Sequence, residues 1–309
     1  MSAVVAAPIV YQVAHRTEYR YAAPVSLSQQ LLHLQPRVAP RQTCLEHTLQ
    51  IVPAPSRRHD ASDAFGNPVT RLEFDRPHER LSITSSARVR VEPRASAPDA
   101  SASPPWEAVA NDLSYRGARA MPDAVLDATR FRSQSPFVLV KRTLADYARR
   151  DFTPQRPLLD ASIALMQRIH AEFAYDQKAT QIATPLLQVF EQRRGVCQDF
   201  AHVMLACLRS LGLSARYVSG YLRSTRDPAR EALVGADASH AWLAVYCPLN
   251  GWVDLDPTNR VLPERSHLTL AWGRDFGDIS PLRGVILGGG SHKLEVAVSM
   301  RAAQPLGIG

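Results

Sequence analysis

Four stretches near the start of the chain alternate apolar and polar side chains with a period of two: YQVAHRTEYRY, HTLQIV, VTRLEF and LSITSSARVRVEP. That period puts successive side chains on opposite faces, so each stretch reads as a half-buried β-strand. Turn signals separate them, including the run Phe65 to Pro68, FGNP. Several short half-buried strands need a second sheet over their apolar faces, which predicts an N-terminal antiparallel β-sandwich domain over residues 9–93. The stretch PRASAPDASASPP that follows is too rich in Ala, Ser and Pro to bury a core, and residues 94–105 read as a linker or mobile loop.

Beyond residue 106 the periodicity becomes helical. Ser135 and Pro136 can begin a helix through VLVKRTLADYARR, and LLDASIALMQRIHAEF places Leu159, Ile163, Met166, Ile169, His170 and Phe173 on one stripe. Thr184 as N-cap and Pro185 at the first helical position open a short helix ending near Arg193 and Arg194, whose charges suit a helix C-terminus. Three strand-like runs come later, ARYVSGYL, SHAWLAVYC and GWVDLDPT, and KLEVAVSM forms a last one. Helices followed by strands predict the α+β class. Residues 106–309 are accordingly expected to form one core of helices packed on an antiparallel sheet, with the C-terminal strand belonging to that core.

At 309 residues and 45% hydrophobic composition the chain is long enough for two domains with a sizeable core. The formal net charge of +7 is spread over scattered arginines without a dense run or an aromatic-lined basic stripe, so a nucleic-acid partner is not expected. The start, MSAVVAAPIVYQVAHR, lacks a basic n-region and its apolar stretch stops at Pro8, so it is not read as a signal peptide. No stretch approaches the roughly 20 apolar residues that span a bilayer, and a soluble cytoplasmic protein without membrane attachment is expected. The four cysteines, Cys44, Cys197, Cys207 and Cys247, show neither a CxxC pair nor zinc-site spacing, so free thiols and no metal are expected.

Between Arg193 and Leu213 the chain reads RRGVCQDFAHVMLACLRSLGL. Phe200, Val203, Met204, Cys207, Leu208 and Leu211 recur at helical spacing and Gly212 supplies the stop. Three residues before Phe200 stands Cys197, in the first turn and turned toward the covered face. A thiol there feels the positive end of the helix macrodipole and backbone N–H groups not yet used by the helix. Both favour a thiolate nucleophile, and the same donors can hold an oxyanion. The other reading is a buried structural cysteine, which is how Cys207, in mid-helix on the apolar stripe, is read.

A thiolate nucleophile needs an imidazole to share its proton and a third group to fix the imidazole's tautomer. Of the ten histidines, His15, His47 and His78 fall in the sandwich and His170 and His202 on helices, whereas His240 stands at the head of the run SHAWLAVYC. In GWVDLDPT, Trp252, Asp254 and Asp256 share a face, and aspartates in an apolar run are costly to bury without a partner. Opposed residues of an antiparallel pair have numbers of constant sum. An even sum, which requires an odd-length connection within CPLNG, brings His240 to the face of both aspartates. With a sum of 496 Asp256 lies opposite His240, and with 498 it lies diagonally; in both registers it is nearer than Asp254.

These residues resemble the transglutaminase-like superfamily, a papain-like fold with Cys, His and Asp in that order. The resemblance is carried by RRGVCQDFAHVMLACLRSLGLSARYVSGYL, by SHAWLAVYCPLNGWVDLDPTN and by FAYDQKATQIATPLLQVFEQ, and the first strands and GRDFGDISPLRG are similar to bacterial members. It implies Cys197 as nucleophile, His240 as general base and Asp256 as orienting carboxylate, with no cofactor and, lacking a DxDxDG-like loop, no calcium requirement. Asp199 is read as a cap or supporting group, Asp254 as a rim or supporting carboxylate, and Trp242 and Tyr221 as core, with the lining of an acyl pocket as their other reading. The implied activity is thiol acyl transfer on peptide or isopeptide amides through a thioester. Hydrolysis, as a cysteine peptidase or amidase, is favoured over amine transfer because water is always present. The alternative from another class is a catalytically silent module that binds a peptide or protein.

Overall fold

The computed structural model describes residues 7–94, 96–114, 120–223 and 239–303; Met1 to Ala6, part of the N-terminal stretch read above, lie outside them. The chain begins with β1 (Ile9–Leu32), β2 (Gln42–Val52), β3 (Arg57–Ser62), β4 (Pro68–Phe74) and β5 (His78–Val91). A helical region follows, with α1 (Trp106–Asp112), α2 (Asp123–Thr129), α3 (Arg142–Ala148), α4 (Leu158–Glu172), β6 (Ala174–Tyr175), α5 (Leu186–Gln192), β7 (Arg194–Gly195) and α6 (Cys197–Ser210). The last part contains β8 (Ala215–Leu222), β9 (Ser239–Cys247), β10 (Gly251–Leu255), β11 (His267–Gly273), α7 (Phe276–Ile279), β12 (Leu282–Gly288) and β13 (His292–Ala302). This is the α+β arrangement, with strands first and then helices on an antiparallel sheet, that the sequence predicts. Among the described residues no helix is long and apolar enough to cross a membrane.

The N-terminal strands form one curled antiparallel sheet that folds over itself through β1. The first half of β1 pairs with β5 and β13, and its second half pairs with β4 and β12. Between Arg20 and Val25 the β1–β5 register shifts, and Pro24, which has no N–H for the ladder, falls in that interruption. The bend brings Leu72 and Phe74 of β4 against Leu81 and Ile83 of β5, around Val25 and Leu32 of β1. Two halves of one sheet thus close the sandwich.

The last strand differs from expectation. Its position in the chain groups KLEVAVSM with the core, yet β13 pairs with β1, Tyr19 with Leu294 and Val13 with Met300. Without it the first half of β1 would be an open sheet edge, and a returning strand removes that liability. The helix read from Ser135 also starts later, at Arg142. A residue preceding proline is disfavoured in the α region, and Ser135 instead exchanges backbone hydrogen bonds with Val138 at 2.8 and 3.0 Å. The helix read from Thr184 and Pro185 begins at Leu186, because Thr184 Oγ1 accepts from Gln181 N–H at 2.9 Å and caps nothing. The end of the predicted linker has a specific job as well: Ser103 Oγ and Pro104 O accept the first N–H groups of α4, from Leu159 and Leu158, each at 2.9 Å.

The second core centres on α6, which packs on β8 and β9 on one side and on α3, α4 and α5 on the others. Its residues from Asp199 to Arg209 are all buried, so the apolar stripe understates how deep this helix lies. Arg209 tolerates burial because its guanidinium donates to the carbonyls of Ala215, Ser133 and Arg274 and to Ser135 Oγ. The sheet under α6 runs β10-β9-β8-β11, antiparallel throughout.

Candidate active site

Cys197 is the first residue of α6, after an extended Val196. The first intrahelical bond is Phe200 N–H to Val196 O at 3.1 Å, so the N–H groups of Cys197 and Gln198 precede the helix ladder. Asp199 shapes this turn: its Oδ2 accepts from Val196 N–H at 2.8 Å and from Thr180 Oγ1 at 2.6 Å. A Cβ at residue 195 would stand 2.5 Å from that oxygen, which is why the position before Val196 is glycine. Burial raises the Asp199 pKa against these hydrogen bonds. Asp199 is therefore the capping group that the sequence suggests. Cys197 is half-buried at this helix mouth, whereas burial pushes the Cys207 thiol up to about 12.

The β9–β10 pairing runs from Cys247↔Gly251 to Leu243↔Leu255, a register sum of 498. The connection, residues 248–250, has odd length, so His240, Asp254 and Asp256 share a face and Asp256 lies diagonally from His240. The two aspartates then divide. Asp254 Oδ1 accepts Trp242 Nε1–H at 3.2 Å, while Asp256 Oδ2 lies 2.8 Å from His240 Nε2. Neither the His240 nor the Asp256 side chain is exposed. Just past β10 the chain turns, and the N–H groups of Thr258 and Asn259 donate to Asp256 Oδ1 at 3.0 and 3.2 Å.

The electrostatics of the pair are reciprocal. Burial alone would depress the His240 pKa, but the Asp256 charge, the Asp256 hydrogen bond and the Cys197 side chain together hold it up to about 10. Burial would raise Asp256, and His240 and His267 instead drive it well below the usual carboxylate range. With Nε2 committed to Asp256, the nitrogen left for Cys197 is Nδ1, which is buried and has no other partner among the described residues.

Two groups in this cluster escape the sequence reading. Asn259 Nδ2 donates to Asp256 Oδ2 at 2.8 Å, and His267 Nε2 approaches the same oxygen at 3.1 Å. Asn259 has a local signal, since it follows Asp256 in the turn-forming DPTN. His267 has none: it belongs to β11, at the opposite edge of the sheet from β10. His240, Asp256 and His267 offer ligand atoms within 4.8 Å of one another, as a metal site would. Their separations of 2.8 and 3.1 Å are, however, those of imidazole N–H groups donating to one carboxylate oxygen.

Comparison with known proteins bears on this geometry. Family models described as the bacterial transglutaminase-like N-terminal region and the transglutaminase-like superfamily match residues 11–90 and 145–257. An uncharacterized protein of Mycobacterium tuberculosis is 39% identical over 285 residues, covering 89% of this chain and 87% of that protein. A protein-glutamine gamma-glutamyltransferase of Pseudomonas aeruginosa is 36% identical over 128 residues, 40% of this chain and 19% of that protein. The crystal structure of a candidate cysteine protease from Cytophaga hutchinsonii superposes with a TM-score of 0.73 at 19% identity, over 97% of this chain and 92% of that one, and shares its fold.

Proposed function

This chain belongs to the transglutaminase-like superfamily, and from that premise we propose that it is a thiol acyl-transfer enzyme acting on peptide or isopeptide amides. The observation that carries the reading is the buried His240–Asp256 pair, 2.8 Å apart, set beside a cysteine at a helix mouth. His240 Nδ1 takes the Cys197 proton and the sulfur attacks the amide carbonyl. The N–H groups at the start of α6 face the developing oxyanion. The imidazolium then protonates the departing amine, the C–N bond breaks, and a thioester remains. Water, activated by His240, releases the acid and restores the thiol; a primary amine in its place would yield a new amide.

Within this reading we favour hydrolysis, because water needs no binding site of its own. The glutamyltransferase relative supports amine transfer as the competing outcome over its shared segment. Incubating the protein with peptide and isopeptide amides, with and without an added alkylamine, and weighing the products separates the two. Cys197→Ala is expected to abolish turnover on every substrate that the parent cleaves. Full turnover by that variant would sink the mechanism.

A further inference from the structure

A cavity of about 780 Å³ that Cys197 does not line lies between the core sheet and the chain segments around residues 39–42, Arg94 and residues 96–99. Trp242, Trp252, Trp272, Arg216 and His267 all line it. Arg216 is only 7% exposed. Its guanidinium carbon lies 3.6 Å from the Trp272 ring centre and 4.3 Å from that of Trp252. The other face of Trp272 carries Arg37, whose guanidinium donates to the carbonyls of Val38 and Phe65 and to Asn67 Oδ1. Arg216 has no such partners: among the described residues it makes no hydrogen bond or salt bridge, and its buried Nε is unsatisfied. Arg41, on the same cavity, has a buried Nη1 that is likewise unpartnered.

A guanidinium out of water costs several kcal/mol unless its donors are met, and stacking on indoles meets none of them. Burial pulls Arg216 down to about 9, with Asp254 opposing. The nearby acids do not settle the account. Asp254 already accepts from Trp242, Asp127 pairs with Arg130, and Asp99 and Glu264 are exposed at the rim. The interior therefore keeps free cationic donors beside flat apolar walls, in a volume typical of a ligand site.

We propose that this cavity binds a ligand bearing a single carboxylate, held by the free donors of Arg216 and Arg41, with its apolar part against the tryptophans. The planar donor fork of arginine matches a carboxylate, and Asp254 nearby penalises a doubly charged anion more than a singly charged one. The carboxylate can come from a small organic acid or from a peptide C-terminus, which share this chemistry.

The test is calorimetric titration of the full chain with benzoate, benzamide, a free-acid tripeptide ending in phenylalanine, its C-terminal amide, and inorganic phosphate. At least one free acid is expected to bind and its amide to bind about tenfold more weakly, as loss of one charge-assisted hydrogen bond implies. Preference for benzoate assigns a small acid, and preference for the tripeptide assigns a peptide end. Arg216→Met should lose at least tenfold, while Cys197→Ala should bind as the parent does, which keeps this site separate from the proposed chemistry. Acid and amide binding alike, phosphate binding more tightly than either acid, no binding at all, or parental affinity in Arg216→Met would each overturn the proposal. Should Arg216→Met fail to fold by circular dichroism, Arg41→Gln decides: a loss of several-fold supports the site and an unchanged affinity overturns it.

Discussion

Replacing Asp256 by asparagine tests whether the carboxylate governs the basicity of His240. Asp256 Oδ1 accepts two backbone N–H groups, and Oδ2 takes His240, Asn259 and His267 at 2.8, 2.8 and 3.1 Å. In Asp256→Asn the carboxamide oxygen can keep the backbone donors, but its NH₂ then meets the His240 Nε2–H. The ring must move its hydrogen to Nδ1, the nitrogen left for Cys197, and so loses the proton acceptor that the thiol needs. One charge-assisted hydrogen bond is worth about 2–3 kcal/mol, which converts to about 30–160-fold in rate. The assay is iodoacetamide alkylation of Cys197 followed by peptide mass mapping, with buried Cys207 as the slow internal reference. Alkylation at pH 6 should slow by at least about 30-fold, and the deficit should shrink toward pH 10 as hydroxide replaces the imidazole. A folded Asp256→Asn protein that alkylates at the parental rate at pH 6 would refute the reasoning.

Other expectations follow from the same contacts. Burial pushes His15 down to about 4 and His202 to about 3, so an unfolded chain binds more protons below pH 6.5 and stability should fall from there toward pH 4. His15 alone accounts for about 3 kcal/mol of that fall, and His15→Gln should flatten it in urea melts read across pH. His240 acts on the other side: its contribution is complete below 6.5 and is lost as pH climbs toward 10. Gly195→Ala forces a Cβ against Asp199 and should cost about 1–3 kcal/mol in the urea midpoint analysis; a neutral result would mean that the turn relaxes freely. His267→Leu removes a donor from Asp256 and should slow Cys197 alkylation by about 5–30-fold, with His267→Gln recovering most of the rate. Equal rates in both variants would leave His267 a packing residue.

Much of the candidate site is legible because it rests on periods. Helical spacing places Cys197 at a helix mouth, strand parity brings Asp254 and Asp256 together to the face of His240 if the turn after Cys247 is odd, and register then makes Asp256 the nearer of the two. The three-residue turn actually used supplies that parity. Where alternation is missing the elements disappear from view: β3, RRHDAS, carries almost no apolar residue, and its pairing with β4 is visible only in three dimensions. The 24-residue span of β1 is hidden for a related reason, since the AAPV stretch breaks the alternation while the strand continues through a bend.

The two largest surprises, β13 on the N-terminal sheet and His267 on Asp256, share a cause. A period of two states which face a side chain takes, but not which strand lies next to it or how far the sheet curls. In a flat four-stranded sheet the outer strands would stand about 14 Å apart, three spacings of about 4.8 Å, and His267 on β11 could not reach the end of β10. The observed 3.1 Å contact requires the sheet to curl at the end that holds His240, so that the His267 side chain on β11 reaches Asp256 just past the end of β10. Curl is set by the twist of every strand together and by what packs inside, here Trp242, whose ring lies 5.2 Å from His267 and 6.0 Å from His240. Residues on one strand face, His240 with Asp256, are therefore recoverable from numbering alone. A residue that joins them by closure of the sheet is recoverable only from the fold.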